Sequence, residues 1–171
     1  MRYLLTSLLS CIGHYALCCT CILNANVKDE IDARDVVFVG KVLSNSVVDG
    51  ITNKTVNLPL NFNVRQYNDT TIDIYKLKDE YRVLVTALYK GKIKSDTISI
   101  YTDYHGFNGA CGFKFNIGES YIIYAYYSKV DSEKITKHKK MCVNICSRTR
   151  SASDINEIKE IEKNLRNKKK K

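Results

Sequence analysis

The chain has 171 residues, 44% hydrophobic and 26% charged, with eight Gly, one Pro, twelve Tyr and no Trp. Val, Ile, Leu and Tyr at this density bury enough apolar surface to offset ordering entropy, which excludes disorder throughout as well as collagen-like and polytopic membrane classes. The net charge of +9 loses five units to Arg166 and the four lysines at 168–171, so a solvated basic tail (166–171) on a near-balanced body is the reading, and no nucleic-acid partner is expected.

Met1-Arg2 precedes an apolar run, residues 3–12, broken only by Thr6, Ser7 and Ser10. A bilayer span needs roughly 20 such residues. Residues 1–18 therefore read as a secretory signal peptide, and no transmembrane segment is expected. Small side chains at Ala16 and Cys18 put cleavage after Cys18 and make Cys19 the mature N-terminus. Cleavage after Ala16 is the alternative, with His14 where a small residue is wanted. Lipidation is the rival: Leu8-Leu9-Ser10 before Cys11 comes nearest to the required pattern and would anchor the protein in a bacterial envelope. Export to an extracellular site makes disulfides the expected state of the cysteines.

Residues 36–43 form a β-branched run around Gly40, where a bulge or sharp bend is expected. Residues 49–78 are polar, carry the single Pro and two glycosylation sequons at Asn53 and Asn68, and read as a long surface connection. Residues 81–89 predict a second strand ending at Lys90-Gly91. Residues 97–102 alternate with period two and predict a third, and 121–127 predict a fourth behind the turn Ile117-Gly118-Glu119. A weaker fifth strand falls within 135–146. A helix is expected from near Ser153, capped by Ser151 or Ser153, with Ile155, Ile158, Ile161 and Leu165 on its core face. Five strands and one helix make a mainly β protein, an OB-like Greek-key barrel with a C-terminal helix.

Hydrolase and phosphate-loop signatures are absent, so no enzyme is expected. His138, in the basic run 137–140, reads as a surface residue, and His105 as a plain loop histidine. A four-cysteine zinc site from Cys18, Cys21, Cys142 and Cys146 is disfavoured by export and by the cleavage position. The seven cysteines fall in two groups: Cys11, Cys18, Cys19 and Cys21 at the start, and Cys111, Cys142 and Cys146 late in the chain.

Cys19-Thr20-Cys21, residues 35–42, Tyr89-Lys90-Gly91, Gly109-Ala110-Cys111-Gly112-Phe113, residues 121–125 and Cys146-Ser147-Arg148-Thr149 resemble, in order and spacing, the N-terminal inhibitory domain of the tissue inhibitors of metalloproteinases. That domain belongs to the netrin-like OB-fold group, and the resemblance covers residues 19–165. It implies disulfides Cys19 to Cys111 and Cys21 to Cys146, each worth about 4–5 kcal/mol for loops of this length, and leaves Cys142 unpaired. Cleavage after Ala16 would instead let Cys18 pair with Cys142.

The resemblance further implies a metalloendopeptidase inhibitor with no cofactor of its own. Its one metal contact is through Cys19, whose α-amine and carbonyl would chelate the catalytic zinc of the target. The amine must be unprotonated, and its reference pKa of about 7.7–8.0 allows that near neutrality. Thr20 would enter the specificity pocket, and Gly109 and Ala110 beside Cys111 would form a second contact edge. The alternative is a non-inhibitory netrin-like binding module that attaches to glycans, envelope components or another protein through residues 134–140 and the tail.

Overall fold

The computed structural model describes residues 26–58, 73–106, 111–128 and 139–168. The chain opens on helix α1 (Val27–Ala33). Asn26 caps it, its side chain accepting from the Asp29 amide at 2.8 Å. At the other end Lys90 donates to the carbonyls of Ile31 at 2.6 Å and Asp32 at 3.2 Å, and to that of Arg34. A cation thus answers the unpaired carbonyls of the last turn.

Strand β1 (Val36–Asp49) pairs antiparallel with β2 (Leu77–Lys90) along nearly its whole length. β3 (Thr97–Asp103) follows β2 antiparallel, and β4 (Ser120–Ser128) pairs with the first half of β1. β5 (Lys140–Cys142) joins β4 antiparallel and β3 parallel, while β6 (Arg150–Ser151) pairs with Tyr121 and Ile122 of β4 on the edge opposite β1. The order β1-β2-β3-β5-β4-β6, with β1 also paired to β4, closes most of this mainly β sheet into a ring. Helix α2 (Ile155–Lys168) ends the described chain.

Val36 to Val39 are buried without alternation because both faces of β1 are covered. Val36, Phe38 and Val42 face the ring interior with Tyr81, Val83 and Ile123. Val37 and Val39 face outward, under Val27 and Ile31 of α1 and Ile161 of α2. The register shifts between Val39 and Gly40, where the bend was expected. A Cβ at Gly40 would stand 2.5 Å from a Val83 methyl, and the Thr86 hydroxyl, opposite the irregularity, donates to the Val39 carbonyl at 3.2 Å. One end of the interior is filled by edge-on aromatic contacts of Phe115 with Tyr81 and Tyr121, both at 5.0 Å between ring centres.

Several boundaries differ from the sequence reading. β1 reaches Asp49 and β2 starts at Leu77, so the long connection is shorter at both ends. Among the described residues the fifth strand is three residues long, and β6 was not foreseen because two residues carry no periodicity. Asp154, not Ser151 or Ser153, caps α2: its Oδ1 accepts from the Glu157 amide at 3.1 Å, while the two serine hydroxyls bond each other at 2.9 Å. Ile155 points to solvent at 55% exposure, leaving Ile158, Ile161 and Leu165 as the packing stripe. The helix also runs into the expected basic tail, and Lys168 pairs with Asp32 of α1. No helix among the described residues is long and apolar enough to cross a membrane.

Burial pushes the phenols of Tyr81 and Tyr101 up to about 12, and that of Tyr124 higher. An unfolded tyrosine ionises near pH 10, so these groups add stability that is complete below about pH 10 and is lost as the pH rises through about 12. Urea midpoints measured from pH 8 to 12 should fall above pH 10, and Tyr101→Phe should flatten that fall.

Candidate functional site

The two late cysteines of the expected framework lie side by side. Gly112 and Asn144 form an antiparallel bridge, and the Ile145 amide donates to the Cys111 carbonyl at 3.0 Å. Cys111 is therefore opposite Ile145 and next to Cys146. Both cysteines are disulfide-bonded. Cys142 is the free cysteine among the described residues, and burial pushes its thiol up. Cys19, Thr20, Cys21, Gly109 and Ala110 lie outside the described residues, as do the pairings of Cys19 and Cys21.

Local hydrogen bonding shapes the turn that carries Cys146. The Asn144 side chain accepts from the Cys146 amide at 3.1 Å, and its carbonyl accepts from the Ser147 amide and hydroxyl at 3.0 and 2.9 Å. An Asn followed two and three residues later by such donors is an Asx-type turn. Ser147 continues to Thr149 at 2.9 Å, and the Thr149 hydroxyl accepts from the Tyr124 amide at 3.1 Å, which ties the turn to β4.

A buried ionic network backs this turn. Glu157 of α2 is 4% exposed and accepts from Arg148 twice, at 2.6 and 2.9 Å, and from the Tyr124 hydroxyl at 2.6 Å. Glu30 of α1, 1% exposed, accepts from the Arg148 amide at 3.2 Å and from the Arg34 side chain at 2.6 Å. Bidentate geometry and full pairing are what make such burial tolerable.

Gly112 also meets the end of β3. A Cβ on Gly112 would stand 2.0 Å from the Asp103 carbonyl oxygen, so only glycine permits that approach. Two residues beyond Asp103, His105 is not a plain loop histidine. Its amide and its Nδ1 both engage Oδ2 of the fully buried Asp79, at 2.9 and 2.5 Å. Among the described residues, Oδ1 of Asp79 has no partner.

On the outer face of β3 and β5 a cavity of about 240 Å³ is lined by Lys78, Tyr101, Asp103, Lys140 and Cys142. Lys140 lies 4.9 Å over the Tyr101 ring and donates to the Gly50 carbonyl; burial holds its ammonium below the usual lysine range. Lys78 pairs with Asp103. Its cations are thus already occupied. No cluster of three or more metal-ligating side chains occurs among the described residues.

The buried pairings of Asp79, Glu30, Glu157 and Arg148 were not anticipated. One signal for them was available: Asp79 sits in the inward phase Leu77-Asp79-Tyr81-Val83, and Glu157 lies four residues before Ile161 on the packing stripe. No protein-family model matches the chain, and no curated protein matches it.

Proposed function

We propose that the chain is a secreted inhibitor of zinc metalloendopeptidases, built like the inhibitory domain of the tissue inhibitors of metalloproteinases on an OB-like Greek-key barrel. The carrying observation is the adjacency of Cys111 and Cys146 through the Gly112–Asn144 bridge. Cysteines two apart in an extended segment are separated by about 7 Å. Two neighbouring partners suit such a pair, and the resemblance implies Cys111 for Cys19 and Cys146 for Cys21. The closed order β1-β2-β3-β5-β4 with one parallel pair supports the barrel reading.

In this reading two disulfides hold Cys19-Thr20-Cys21 rigid before it meets the protease, which removes most of the ordering cost of binding. The α-amine and carbonyl oxygen of Cys19 occupy the position on the target's zinc that a catalytic water otherwise fills. Thr20 enters the specificity pocket, and Gly109 and Ala110 make the flanking contact.

N-terminal identification of the exported protein should return Cys19 with a free amine. A variant with one Ala added before Cys19 should inhibit a susceptible zinc endopeptidase about 100-fold less, because a displaced ligand atom loses the aligned geometry. Equal inhibition by both forms would refute the mechanism.

A further inference from the structure

We propose that Asp79 and His105 are positioning residues that set the placement of Cys111, an inference resting on the inhibitor reading above. The chain leaves β3 at Asp103 and returns to the same point at Gly112, whose missing Cβ lets it lie on the Asp103 carbonyl. Asp79 grips the departing limb twice, through the amide and Nδ1 of His105. Cys111 holds the returning limb through its carbonyl, which accepts from Ile145.

Asp79 is 0% exposed, and its Oδ1 has no partner among the described residues. What the carboxylate does is tie the turn at His105 to β2. Its loss should free the limb that leaves β3 at Asp103.

Asp79→Ala takes a buried acceptor from two donors, so it is expected to lower the urea midpoint of the parent and to weaken inhibition of a zinc endopeptidase about tenfold, as pre-organisation of the contact is lost. His105→Ala keeps the amide leg and should weaken it less, by about threefold. Asp79→Asn, which still offers one acceptor oxygen to both donors, should restore inhibition to within about twofold of the parent. Hydrogen exchange supplies a readout that general destabilisation would not reproduce: in Asp79→Ala the Ile145 amide should exchange about tenfold faster relative to the β1–β2 amides.

Unchanged inhibition in Asp79→Ala, or Ile145 exchange rising only in step with the β1–β2 amides, would overturn the proposal. Should Asp79→Ala fail to fold, His105→Ala and Asp79→Asn carry the same two readouts, and inhibition unchanged in His105→Ala would overturn the proposal. If the parent itself does not inhibit, the inhibitor reading fails, and the Ile145 exchange ratio alone then decides the role of Asp79.

Discussion

Glu157→Ala is expected to destabilise the protein by about 3–5 kcal/mol, the range for breaking a buried ion pair by removing one partner. Glu157 is 4% exposed and answers three donors, two from Arg148 and one from Tyr124. Without it, the Arg148 guanidinium, held in a partly buried position, has lost both its side-chain bonds to α2, and the hydroxyl of fully buried Tyr124 loses its acceptor. The Arg148 amide would still bond Glu30, so α1 stays attached while α2 loosens. Tyr124→Phe removes a single hydrogen bond to a charged group and should cost less, about 1.5–3 kcal/mol. Glu157→Met combined with Arg148→Met should recover part of the loss, because no uncompensated charge remains. Urea unfolding of the parent and these three variants checks the series; a double variant as unstable as Glu157→Ala would contradict it.

Gly112→Ala is the second large effect. The added Cβ would meet the Asp103 carbonyl oxygen at 2.0 Å, and that neighbour is backbone at the end of β3, which cannot rotate away. Overpacking of this kind costs about 1–3 kcal/mol or more. The relaxation must move either β3 or the Cys111 segment, so the Gly112–Asn144 bridge should open. Gly118→Ala makes the control. Gly118 has φ +89°, and a Cβ added there would meet nothing within 4 Å, so its cost is left-handed strain alone, about 1–2 kcal/mol. Exchange of the Ile145 amide should therefore accelerate in Gly112→Ala and stay at the parent rate in Gly118→Ala.

Four of the strands were legible because their apolar runs are long and end at turn residues. Gly40 announced a bend because glycine inside a β-branched run has little other use, and the register shift lies beside it. Helix α1 escaped notice since seven residues give barely two turns of periodicity, and its three buried positions include an acid, Glu30. The cap of α2 was misplaced because two serines, Ser151 and Ser153, stand just before Asp154, which does the capping. The structure decides it: Ser151 pairs with β4 and its hydroxyl bonds that of Ser153, while Asp154 accepts from the Glu157 amide.

His105 shows the same limit from another side. Its partner Asp79 lies 26 positions away on another strand, and the pairing exists only because β2 and β3 run antiparallel in one register, Asp79 opposite Thr102. By itself the sequence determined that this is a mainly β chain with a C-terminal helix, since periodicity and turn residues are local properties. The adjacency of Cys111 with Cys146, the burial of Glu30 and Glu157 around Arg148, and the grip of Asp79 on His105 were decided by tertiary structure. Each joins residues from separate elements, and strand register and ring closure, not local propensity, bring those elements together.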